Sequence, residues 1–233
     1  IGAYLHSSTM KNNHDRDFDT FKDMPDREAN VGMLRLFRRN PADNWEGQWN
    51  VLVAKDIREG GQHTAHDHGQ ATLDPYVIRQ DNQRVEVFGK TGYFGFAHPS
   101  RSIGFMYSGA YHRLNNLYGR NIHQAEQQSL YFNTLYHTDI RNEKHKLSLG
   151  GSVQTDRFDE VLSDVRFDRT ETVVGANAEY LYSAKIRGNP SANNNLTAIV
   201  GLRVDHHSLG GWQASPRVNI KYNLSEYNAL RVS

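Results

Sequence analysis

Apolar and polar side chains alternate at every second position through most of this chain. Period two sends successive side chains to opposite faces of a strand, so the pattern commits the chain to β-structure with one apolar face. In residues 216–222, Val218, Ile220 and Tyr222 oppose Arg217, Asn219 and Lys221. In residues 146–154, Leu147, Leu149 and Val153 oppose Lys146, Ser148, Ser152 and Gln154. Near residue 200, Leu196, Ala198, Val200, Leu202 and Val204 oppose Thr197, Gly201, Arg203 and Asp205, with Ile199 the one misfit. Residues 45–53 set Trp45, Trp49, Val51 and Val53 against Glu46, Gln48 and Asn50, and residues 102–112 set Ile103, Phe105, Tyr107 and Tyr111 against Ser102, Gly104, Ser108 and His112. Further strands are predicted at about 1–10, 28–38, 84–94, 127–140, 171–184 and 227–233; the second has the weakest pattern, because Arg35 falls in phase with Val31 and Met33. No segment carries a helical period with caps, so the chain reads as all-β with about eleven strands.

The connections carry more information than the strands. They run long at 11–27, short at 39–44, long at 55–83, short at 95–100, longer at 113–126 and short at 141–145. After that, 157–170 is long, 185–195 middling, 206–215 moderate and 223–226 tight. A transmembrane barrel has this asymmetry, with short turns on one side and longer loops on the outward side. A tilted membrane strand needs about 9–11 residues, and aromatic residues collect near its ends. A soluble β-sandwich or solenoid also alternates, but its strands average about 5–6 residues.

Composition removes other classes. Lys plus Arg number 27 and Asp plus Glu 26, which lacks the basic excess of a nucleic-acid binder. There is no cysteine, so disulfides, Cys-ligated metal and thiol nucleophiles are excluded. No stretch reaches the ~18 consecutive apolar residues of a membrane helix, and low mean hydropathy does not count against a barrel, where only alternate residues face lipid. Ile1 opens the chain without a signal peptide and Ser233 falls inside an expected strand, so the expectation is one partial barrel domain over 1–233, an excerpt of a longer protein.

The succession Val174-Gly175-Ala176-Asn177-Ala178-Glu179-Tyr180, then Val200-Gly201-Leu202-Arg203-Val204-Asp205, then Ser215-Pro216-Arg217-Val218-Asn219-Ile220-Lys221-Tyr222-Asn223 resembles the barrel of TonB-dependent receptors, most closely the Bacteroidota variants. The likeness is strongest from about 171 to 233. It implies a barrel of about 22 strands in the bacterial outer membrane. It further implies an upstream plug domain that engages the TonB complex, outer-membrane lipid around the barrel, and import of a small metal chelate or vitamin such as a ferric siderophore, haem or cobalamin. Neither plug nor final barrel strand is visible in this sequence. Gly175 and Gly201 would face inward and let other matter approach, and Arg203, Asp205, Arg217, Lys221 and Glu179 would form a charged inner wall.

Two clusters invite chemistry. Asp15, Asp17, Asp19 and Asp23 space carboxylates as calcium loops do, although Thr20 stands where a glycine is expected and the closing glutamate is missing; a solvated acidic loop of Asx turns reads as well. Related receptors carry a similar loop before a Phe-x-Asp-x-Pro, here Phe21 to Pro25. His63, His66 and His68 lie in the longest outward connection, where imidazoles would meet a metal or haem. His206 and His207 follow a strand leading to the same side, joined there by His14, His112 and His123. Loop histidines are more often plain polar surface. No Gly-x-Ser-x-Gly elbow, His-Glu-x-x-His pair or phosphate-cradling loop occurs, so no enzyme is expected. Two alternatives stay open: a soluble β-rich ligand- or carbohydrate-binding module stacking sugars on Trp45, Trp49 and Trp212, and a hydrolase built on His63, His66 and His68.

Overall fold

The computed structural model describes residues 1–11, 15–40, 42–62, 75–185, 196–224 and 228–233. They form one antiparallel sheet of eleven strands in simple sequential order. The strands are β1 (Gly2–Met10), β2 (Asp26–Asn40), β3 (Trp45–Gly61), β4 (Val77–Tyr93), β5 (Ser102–Tyr118), β6 (Asn121–Ile140), β7 (Asn142–Leu162), β8 (Val165–Ala184), β9 (Leu196–His207), β10 (Gly211–Asn223) and β11 (Ala229–Val232). The all-β expectation and the strand number hold. The sheet is not closed, since β1 pairs only with β2 and β11 only with β10 among the described residues.

Strand length departs from the sequence reading. β2 has 15 residues, β3, β4 and β5 have 17, and β7 reaches 21. Residues 113–126, expected as a loop, are instead the top of a β5–β6 hairpin closed at Gly119 and Arg120, where Gly119 takes a φ of 62°. Residues 157–170 likewise continue β7 and β8 around Ser163 and Asp164, with Ser163 at a φ of 54°. A 17-residue strand spans roughly 55 Å.

The same residues explain why the pattern disappeared. On the apolar face of β3, Trp45, Trp49, Val51 and Val53 are followed by Lys55 and, beyond Ile57, Glu59. Val53, Val85 and Tyr111 share one hydrogen-bonded row, and the next position on that face is held by Lys55, Gln83 and Arg113. Above this line apolar residues no longer recur regularly on either face, so nothing alternates although pairing continues.

The boundary of the apolar band is oblique to the rows. Tyr111 ends the continuous apolar run of β5 on this face, with Arg113 and Asn115 before Leu117, and its row continues through Gln128 and Arg157 to Thr170. On β8 the band does not begin until Val174, four residues past Thr170, so over the three steps from β5 it has slipped by about 1.3 residues per strand, roughly 4.4 Å of rise for each 4.8 Å of spacing and an inclination of about 40°. The band is turned outward to solvent: Leu34, Val53, Val87, Val200 and Val218 each expose about half their surface. At its lower margin Trp45 meets Tyr93 at 4.7 Å, Tyr93 meets Phe96 at 5.3 Å, and Phe96 meets Tyr136 at 6.1 Å.

The opposite face holds most of what little is buried. Asn50 is the most enclosed side chain, with Asn116 and Asn133 close behind, and Ala29 among the few buried apolar groups. Asn50 Oδ1 accepts from Arg35 Nε at 3.1 Å and Gln48 Nε2 at 3.3 Å, while its amide donates to the Phe88 carbonyl at 3.3 Å. A sheet with amides in its most sheltered positions and valines in the open has reversed the usual distribution for water.

Candidate functional site

Above the apolar band, the polar face of β6 to β9 carries a connected set of charged and hydroxyl side chains. Period two and the register assemble it: Ser129, Asp156 and Glu171 are not cross-strand neighbours by chance but lie on one row, through Ser129 to Asp156 and Asp156 to Glu171. Asp156 accepts from the Ser129 hydroxyl, from Gln127 at 3.3 Å and from Gln154 at 2.7 Å. Burial pushes this carboxyl up, but the hydrogen bonds from Ser129, Gln154 and Gln127 outweigh it and hold it below the ordinary 3.8. Asp56 on β3 behaves the same way: burial raises it, and Arg58 and Arg27, at 2.7 and 2.8 Å, bring it below the usual range.

The sign of the pH dependence follows. Both carboxyls are more acidic folded than unfolded, so their contribution is fully present above the unfolded value near 4 and is lost as pH falls through the lower folded values. We expect stability to drop below about pH 4, and Asp156→Asn to flatten part of that drop. Denaturant unfolding followed between pH 3 and 7 checks this; an unchanged acid limb in the variant contradicts it.

Higher on the same face, His123 Nε2 lies 2.9 Å from Glu160. Arg169 reaches Glu160 at 3.5 Å and Glu171 at 2.8 Å, and its guanidinium sits 4.2 Å from the centre of the Phe158 ring. Glu171 is 3.8 Å from His207 Nε2, whose Nδ1 accepts from the amides of Leu209 and Gly210 at 3.0 and 3.1 Å. Nearer the band, Arg203 binds Asp205 twice at 2.7 Å and Ser152 at 3.0 Å. Glu160, Glu171 and Asp205 are each paired with a base, and Asp156, whose partners are one hydroxyl and two amides, is the exception in this wall.

Gly175 does not serve as a place for foreign matter to approach. Asp205, Arg203 and Ser152 converge where its side chain would stand. The absence of a Cβ there makes room for the wall's own ion pair. Lower on the polar face, a cavity of about 300 Å³ is lined by Phe37, Gln48, Lys90, Met106, Leu135 and His137 together with glycines.

The expected site residues are distributed differently from the sequence reading. His63, His66 and His68, with His14, lie outside the described residues. His206 and His207 end β9 instead of standing in a loop, and alternation sends them to opposite faces: His206 packs against Trp212 at 4.8 Å on the apolar face, and His207 faces Glu171. His112 and His123 are strand residues of the polar face. Trp212 is on β10, seven strands from Trp49 on β3, so the tryptophans form no common platform.

Asp15, Asp17 and Asp19 do converge, each offering an oxygen within 4.8 Å of the others. Asp15 accepts from the amides of Asp19 and Thr20 at 3.2 and 2.9 Å, and Thr20 adopts a φ of 77°, the conformation a glycine supplies in calcium loops. Desolvation, then Asp19 and Asp15, keeps the Asp17 carboxyl above its usual range. Asp23 stands apart, accepting from the Arg16 amide at 3.1 Å and lying 3.9 Å from its side chain. The three carboxylates have the chemistry to receive a hard cation.

Glu160, Arg169, Glu171 and Asp156 were not anticipated as site residues. Their signal was the polar half of an alternation whose other half had turned polar too. Compared with known proteins, the sequence matches no family model and no curated protein.

Proposed function

We propose that this sheet is part of a closed transmembrane β-barrel in the bacterial outer membrane, and that the protein is a TonB-dependent receptor importing a scarce ligand such as a ferric siderophore, haem or cobalamin. The oblique apolar band carries the reading. It is about nine residues high on β3, β4 and β5, turned outward, edged by aromatic residues, and inclined at about 40° from β5 to β8, within the 35–45° tilt of membrane barrels. A soluble sheet gains nothing from valines in water on one face and amides under cover on the other.

Strand parity supports the larger barrel. β1 and β11 run in the same direction, being separated by an even number of antiparallel steps. Closing this sheet on itself would need a parallel pair, whereas bacterial barrels are antiparallel with an even strand number. Additional strands complete it in the proposed form. The receptor reading rests on the Gly175–Tyr180, Gly201–Asp205 and Ser215–Asn223 motifs, and the ligand is assigned to the polar wall and the connections above it.

The chain contains no cysteine, so single cysteines report topology without background. In intact cells expressing the full-length protein, a membrane-impermeant maleimide should label Asp164→Cys in the β7–β8 turn and leave Arg141→Cys in the β6–β7 turn unlabelled until the membrane is opened. Equal labelling of both, or recovery of the protein in the soluble fraction, overturns the membrane reading.

A further inference from the structure

The strands do not end at one height, and the step between β8 and β9 leaves a free edge. β8 pairs with β7 along its whole length, up to Leu162 opposite Val165. Its pairing with β9 starts only at Val173 opposite His207. Thr172 makes the last link, its carbonyl accepting from the Ser208 amide at 2.8 Å and its amide donating to Ser208 Oγ at 3.0 Å. Backbone groups alternate sides along a strand, so Arg166, Asp168 and Thr170 turn N–H and C=O the same way as Thr172. Among the described residues nothing pairs with them. Residues 165–170 are all exposed, including Val165 at 54% and Phe167 at 47% on the polar face.

The edge belongs to a cross-linked hairpin and is uncovered by its own side chains. Arg166 reaches back across the hairpin to Asp159 at 2.8 Å and to Asp168 at 3.1 Å. Arg169 binds Glu160 and Glu171 and covers Phe158. The turn is tied to β6 through the Ser163 amide and the Ile122 carbonyl at 2.7 Å. Every charged side chain of this stretch is thus satisfied within the hairpin, and the backbone is left to recognise a partner.

We propose that the outer edge of β8, from Val165 to Thr170, receives an extended polypeptide segment of another protein as an added antiparallel strand. Main-chain hydrogen bonds would supply the affinity and side chains apolar opposite Val165 and Phe167 the selectivity. Because the edge's charges are already paired, the segment that fits is uncharged at its centre. A second copy does not fit: antiparallel pairing of this edge with itself turns one copy upside down, which two receptors in one membrane cannot satisfy. That exclusion rests on the membrane reading above, whereas the free edge stands without it.

The test places a photoreactive p-benzoylphenylalanine at Arg166 or at Thr170 of the full-length protein in its native cells. The expected result is a cross-link to one polypeptide, with the residue reached from 170 lying about four positions before the residue reached from 166, the signature of an antiparallel strand. Asp168→Pro removes an outward N–H and leaves the β7 ladder intact, so it should lower the yield about tenfold while the β7–β8 hairpin keeps its protease resistance. Cross-links to a second copy, to another segment of the same chain, to scattered sites, or to nothing overturn the proposal. So does a yield that survives Asp168→Pro. Cysteine labelling at Asp164 reports separately on the membrane reading.

Discussion

Val200→Arg should remove most of the protein from the outer membrane. Val200 lies on β9 near the middle of the outward band, with Tyr180 and Val218 beside it on the neighbouring strands, and half its surface is open. In water an arginine there would be harmless, because surface substitutions usually stay within about 0.5 kcal/mol. Against hydrocarbon it costs about 2–4 kcal/mol at the midplane. The neighbouring Ile199 on the polar face is the control, since Ile199→Arg places the same charge away from lipid. Quantifying the heat-modifiable folded form in isolated outer membranes distinguishes the two. Equal amounts of both variants would remove the physical basis for assigning the band to lipid.

Asn50→Ala should lower stability by about 2–3 kcal/mol, the second largest effect of a single change. Asn50 is 2% exposed and links three strands, receiving Arg35 of β2 and donating to the Phe88 carbonyl of β4. Truncation leaves that carbonyl and the Gln48 amide without their partner in a sheltered place, and the penalty is that of desolvated groups left unsatisfied. Asn50→Leu would restore volume but not the hydrogen bonds, so it should rescue little. Urea unfolding in detergent, read by tryptophan fluorescence, measures both; a loss under about 0.5 kcal/mol for the alanine variant contradicts the role given to this side chain.

Sequence alternation was a reliable guide where one face was apolar and silent where neither was. It located β3, β5, β9 and β10 because Trp49, Phe105, Leu202 and Ile220 stand in phase with their neighbours. It stopped at Lys55, Arg113 and Thr170 because beyond them apolar residues no longer recur on one face, and a stretch without period resembles a loop. The two-residue turns were hidden for a further reason: Ser163-Asp164 lacks the Asn-Gly or Asp-Gly signature of tight hairpins, and its conformation is held by a bond to Ile122 on another strand. The wall from Asp156 to Glu171 was unreadable because it depends on register across four strands. By contrast, the convergence of Asp15, Asp17 and Asp19 was legible, since it is local: Asp15 accepts from the amides of Asp19 and Thr20, and Asp19 from that of Phe21 in an Asx turn.

The height of β3 to β8 beyond the band gives the proposed receptor a particular entrance. From Thr155 to Leu162, β7 alone continues for roughly 25 Å past Val153 at the top of the band, hydrogen-bonded to both neighbours for most of the way. Such a parapet cannot fold over an incoming molecule as a flexible loop does. Closed into the proposed barrel, these strands would sort whatever arrives first by the width of the shaft and only afterwards by contact chemistry, so molecular girth would become a selection criterion upstream of affinity.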